Sequence, residues 1–100
     1  MEQRLNLAHI QHRLRQVYAT LADTYHLQAM GIFGSYVRQE QSFASDVDIL
    51  VRFAQPPSLF TFLRLERELT ELLGIRGDLV MESALKPTIG KRILNEVVAV

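Results

Sequence analysis

Apolar side chains recur at intervals of three and four through Leu7, Ile10, Leu14, Val17 and Leu21, the period of one face of an α-helix running from about Leu5 to Tyr25. Gln11, Arg13, Arg15 and Gln16 fall off that stripe, so its expected role is to pack on a sheet. The same heptad-like seam is also what a helical partner would use. Leu27 to Phe33 is an apolar run of strand length that ends at Gly34-Ser35, and a short helix is expected over Ser35 to Gln39. After a polar loop, Ser42 to Ser45, the segment DVDILVRF alternates. Val47, Ile49, Val51 and Phe53 share one face of a strand, and Asp46 and Asp48 share the other. The breaker cluster AQPPS ends it, and Ser58 is placed to cap a helix that buries Leu59, Phe62, Leu65, Leu69 and Leu72. Arg64, Glu66, Arg67 and Glu68 face water on that helix, and Gly74 closes it. A third strand is expected over Asp78 to Met81, with Glu82 exposed at its end and Lys86 solvated or turned to phosphate. Thr88 to Glu96 follows as a last helix with Ile89, Ile93 and Leu94 buried. Val97 to Val100 is an edge strand or a partner contact.

A strand-helix-strand crossover from the Asp48 strand to the Asp78 strand makes those two parallel, and the first strand must run antiparallel to the second. The expectation is an α/β (α+β) fold, a small mixed sheet with helices packed against it, that brings Gly34, Ser35, Asp46, Asp48 and Asp78 to one edge. At 100 residues the chain forms one domain, 1–100, with no separate substrate-binding lobe. Its charges balance to zero, which argues against a surface built for direct nucleic-acid binding. There is no cysteine, hence no disulfide or thiolate chemistry. Met1 to Leu7 is charged without a following apolar signal core and no run is long enough to span a membrane, so a cytoplasmic protein with no membrane partner is expected.

Glycine lets a backbone approach an anion closely, and a serine hydroxyl with the free N–H groups of a helix start adds donors. Gly34-Ser35 at a strand-to-helix turn is therefore a phosphate-binding candidate. Two carboxylates held side by side repel each other unless a cation offsets them, and hard oxygen ligands suit Mg²⁺ shared with substrate phosphates. Arg38 has two roles open to it, a contact to phosphate or a tie from the loop to a neighbouring carboxylate. Ser45 reads as a turn hydroxyl, and Gly31 as a point of close approach. His9 and His12 lie one helical turn apart without a third ligand and read as solvated or capping, and His26 as a turn residue. No histidine pairs with a serine nucleophile.

Gly34-Ser35, a loop carrying Arg38, Ser45-Asp46-Val47-Asp48 and then Asp78 within GDLVMESALKP resemble, over nearly the whole chain, the minimal stand-alone (MNT) branch of the DNA polymerase β nucleotidyltransferase superfamily. The resemblance implies Asp46, Asp48 and Asp78 as catalytic and metal-binding residues and Gly34, Ser35 and Arg38 as nucleotide-binding residues. It further implies two Mg²⁺ ions, with Mn²⁺ as a substitute, and ATP as substrate. In this branch the partner is commonly a helical HEPN toxin, so the implied function is an antitoxin that transfers AMP to a toxin tyrosine. The competing expectation is a binding module that neutralises a helical partner without catalysis. A phosphoacceptor signalling domain fits less well, because it needs more strands than this chain supplies. Self-association is left open. Two positions depart from the branch: Gln39 stands where a glycine usually follows the arginine, and Gly77 stands where an apolar residue usually opens the third strand.

Overall fold

The computed structural model describes residues 6–42 and 44–100. The first helix, α1, spans Leu7–Tyr25; Leu5 and most of the charged segment before Leu7 lie outside the described residues, as does Phe43 of the polar loop. Asn6 caps α1 by accepting the His9 N–H, and His26 ends it in the left-handed region at φ 57°, the turn role expected of it. Strand β1 (Leu27–Phe33) leads through Gly34 into a single helical turn, α2 (Ser35–Arg38). Strand β2 (Val47–Phe53) is followed by α3 (Leu59–Leu73), which Ser58 caps through the Thr61 N–H and Gly74 closes at φ 72°. Strand β3 (Gly77–Met81), a 3₁₀ turn at Glu82–Ala84, α4 (Pro87–Glu96) and strand β4 (Val98–Ala99) complete the chain.

The strands form one mixed sheet in the order β3-β2-β1-β4, with β1 antiparallel to both neighbours and β2 parallel to β3. Ile10, Leu14 and Leu21 of α1 and Leu65, Leu69 and Leu73 of α3 cover one face, where they meet Met30, Ile32, Val47, Ile49, Val51 and Leu79. The α1 seam is thus used internally and is not offered to a partner. By the two-residue alternation of a strand, Asp48, Leu50 and Arg52 turn to the opposite face. Edge strand β3 has its outer N–H groups covered by α3 side chains: Gly77 N–H donates to Thr70 Oγ1 at 3.0 Å and Leu79 N–H to Glu66 Oε2 at 3.0 Å.

Several expected burials are corrected. Leu59 is 69% exposed because it sits in the first turn of α3, ahead of the part that reaches the sheet. Ile89 and Leu94 are also exposed, at 52% and 48%, and the buried position of α4 is Gly90, whose backbone lies against Leu85. Glu66 and Glu68 do not simply face water, since Glu68 accepts from the Tyr25 hydroxyl. Glu82 is half-buried and takes both Arg52 Nε and Nη2 at 3.0 Å.

Candidate active site

The parallel pairing of β2 with β3 sets Asp48 directly beside Asp78, and the antiparallel pairing with β1 sets Asp48 opposite Phe33, one residue before Gly34. Asp46 lies just ahead of β2, on the other side of the fully buried Val47. Gly77, the departure expected to weaken β3, opens that strand in register with Val47 and leaves Asp78 in place; a Cβ there would make only ordinary contacts with Ile49, Thr70 and Leu69.

Gly34 adopts φ 82° and ψ −151°, backbone that an L side chain rarely takes, and a Cβ on it would fall on Asp48 Oδ2. The turn needs glycine for both reasons, and the second ties the turn sterically to the carboxylate. Ser35 starts α2 half-buried, while Tyr36 is buried behind the turn. Val37 and Arg38 donate to Gly34 O, but the first-turn N–H groups of Ser35 and Tyr36 have no carbonyl inside the helix to meet. Gln39 ends α2 at φ 59°, in the left-handed region that glycine enters without strain.

Charge is crowded here. Asp48 is pushed up to about 6, first by burial, then by the carboxylates of Asp78 and Asp46, with Arg38 pulling the other way. Burial, with Asp46 nearby, also raises Tyr36. Asp46 meets Arg76 only at 3.9 Å and largely in solvent. Asp78 is exposed. Among the described residues no group of three or more histidine, aspartate or glutamate side chains is arranged to hold a metal ion as the side chains lie.

Arg38 donates through Nη1 to Glu96 Oε1 at 2.7 Å and through Nε to Glu40 Oε2 at 3.1 Å. The other oxygen of Glu96 accepts the Gly34 N–H at 2.8 Å. Burial alone would raise Glu96, but the Gly34 N–H and the Arg38 guanidinium outweigh it and hold the carboxyl below its usual range. Helical periodicity places Glu96 only as the last residue of a helix. The available signal is electrostatic: a carboxylate at a helix C-terminus opposes the dipole and calls for a cationic or N–H partner. Ser45 Oγ accepts the Ser42 N–H at 2.9 Å and so acts as the turn hydroxyl. His9 and His12 are exposed.

A polymerase beta nucleotidyltransferase family model matches residues 15–100. The chain belongs to that family. Within it, the protein adenylyltransferase MntA of Thermococcus cleftensis is 48% identical over 96 residues, covering 96% of this chain and 97% of the relative. A solved structure described as a candidate minimal nucleotidyltransferase superposes with a TM-score of 0.82 at 30% identity, over 99% of this chain and 100% of that one. The tri-AMPylated Shewanella oneidensis HEPN toxin in complex with MNT antitoxin contains a chain that superposes with a TM-score of 0.68. At 22% identity, over 90% of this chain and 70% of the other, that likeness is one of fold. The nucleotidyltransferase fold is therefore present, and within it Asp48 lies beside Asp78 and against Gly34.

Proposed function

We propose that the chain is a protein adenylyltransferase that moves AMP from ATP to a hydroxyl, in the first instance a tyrosine, of a helical HEPN toxin, and so acts as its antitoxin. The observation that carries the proposal is the interlock of Gly34 with Asp48, beside Asp78: an anion-binding turn and two carboxylates held together by strand register. The adenylyltransferase relative, matched over almost its whole length, supports the same chemistry.

Asp46, Asp48 and Asp78 supply hard oxygen donors, the set Mg²⁺ or Mn²⁺ selects, and burial together with the neighbouring carboxylates raises Asp48 while no cation offsets them. Bound there, two such ions would offset charge on the phosphates and lower the pKa of the acceptor hydroxyl. The chain's own residues do the rest. Ser35 Oγ and the Ser35 and Tyr36 N–H groups hold the β- and γ-phosphates, Gly34 keeps side-chain atoms out of their way, and Arg38 meets them from the end of α2. The acceptor oxygen attacks the α-phosphorus, the bond to pyrophosphate breaks, and the hydroxyl proton passes to Asp78, which is exposed to an incoming acceptor. A cytoplasmic setting, where ATP and the partner are made, belongs to this proposal. Among the described residues no helix is long and apolar enough to cross a membrane. Among the described residues the large apolar side chains left in solvent, Leu59, Phe60, Leu63, Ile89 and Leu94, are what the chain offers a helical partner.

Neutralisation by binding alone is favoured by one observation, the lack of a ready three-carboxylate arrangement among the described residues. Incubation with ATP labelled at the α-phosphate, Mg²⁺ and the partner separates the two. Label on the partner, lost with Asp48→Asn, is the expected outcome, and silencing of the partner without label supports binding alone.

A further inference from the structure

The Gly34-Ser35 turn is not held by its own strand and helix alone. Glu96, the last residue of α4, reaches it from 62 positions away with one carboxylate oxygen on the Gly34 N–H at 2.8 Å and the other on Arg38 Nη1 at 2.7 Å. Its side chain is 21% exposed, and it stays ionised because these two donors outweigh its burial. The polypeptide just after Glu96 is fixed as well. Val98 and Ala99 pair with Ile32 and Gly31, Val100 N–H donates to Met30 O at 3.0 Å, and Val97 packs where a side chain on Gly31 would stand. A carboxylate that merely plugged an anion site would have to swing away to admit phosphate. This one rises from backbone that the following strand pins to β1, and both its oxygens are engaged by groups of the turn itself.

We propose that Glu96 is a positioning residue for nucleotide binding: it fixes the Gly34 peptide in its glycine-only conformation and orients the Arg38 guanidinium toward the triphosphate. The two bonds divide the work. The Gly34 N–H is consumed by Glu96, so the phosphates are left to the Ser35 and Tyr36 N–H groups and the Ser35 hydroxyl. Arg38 spends Nε on Glu40 and Nη1 on Glu96, and its Nη2 donates to no side chain or backbone group among the described residues. A guanidinium clamped on two sides presents its third corner at little entropic cost, whereas a free arginine loses rotamer freedom on binding. The inference rests on the adenylyltransferase proposal only in assuming that ATP occupies this turn.

The test is calorimetric titration of Mg²⁺–ATP into the full chain and into Glu96→Gln, Arg38→Gln and the double variant, with melting temperatures alongside. Glutamine still accepts from Gly34 but repels the guanidinium N–H with its own amide or gives up the ionic bond. The expected result is about a tenfold loss of affinity in Glu96→Gln, the size of roughly one charge-assisted hydrogen bond. A similar loss is expected in Arg38→Gln, with little further loss in the double variant, because both act through one link. Unchanged or tighter ATP binding in Glu96→Gln overturns the inference, as does a fall in melting temperature with no change in affinity, or losses that add. If Glu96→Gln does not fold, Arg38→Lys keeps the charge without the fork and must show the same loss; wild-type affinity there overturns the inference too. If the unmodified chain binds no Mg²⁺–ATP, the adenylyltransferase proposal fails and takes this inference with it, an outcome distinct from the others.

Discussion

Asp48, proposed above as a metal-binding carboxylate, also bears on the stability of the chain. The group binds its proton more tightly in the folded chain, at about 6 against an ordinary 3.8, so its contribution to stability is complete below the ordinary value and is lost as pH rises through about 6. Urea unfolding in the presence of a chelator should therefore show stability declining across that window. Asp48→Asn should remove most of the decline and raise stability at neutral pH by about 1 kcal/mol, a figure already reduced for the solvent that screens a partly exposed group. Mg²⁺ with ATP should stabilise the original chain at neutral pH and leave Asp48→Asn unmoved. Two neighbouring positions behave oppositely. Gly34→Ala places a methyl group on Asp48 Oδ2 and strains φ, so transferase activity should be lost. Gln39→Gly relieves a left-handed glutamine and should stabilise the fold by about 1 kcal/mol in the same unfolding measurement.

The elements follow from patterns that a single chain displays. Strand β1 occupies the range its apolar run predicts, and α3 runs from its serine cap to its glycine stop, because caps and periodicity are local properties. What the sequence does not display is which side of a helix finds something to pack against. Ile89 and Leu94 have the spacing of a buried face, yet both are exposed, Gly90 folds back on Leu85, and α4 reaches the Gly34 turn through Glu96, which no local rule announces. The same holds for the site. Asp46, Asp48, Asp78 and the Gly-Ser turn are recognisable as residue types at spacings, whereas Glu96 enters through a contact spanning most of the chain. Gly31 shows the intermediate case: close approach is legible, its partner is not. Substituting valine at Gly31 should drive β4 off the sheet edge, since its Cβ collides with Val97. We expect destabilisation of about 1–3 kcal/mol, with faster amide exchange at Val100 than in the rest of the sheet.

At the scale of the whole molecule, the sheet divides the labour. One face is closed by α1 and α3 into the core, and the other carries Asp48 beside Asp78, with Glu96 of α4 clamping the turn at its edge. Asp78 is exposed on that face, where an acceptor from outside the fold can reach it. A partner protein that brings its own hydroxyl is such an acceptor. The most direct test is mass spectrometry of the purified partner toxin after incubation with the full chain, ATP and Mg²⁺. The expected result is a mass increase of one or more AMP units on a partner hydroxyl, absent with Asp46→Asn and absent without Mg²⁺. A partner that is bound and silenced equally well by the Asp46→Asn chain, with no adduct on either protein, would contradict it.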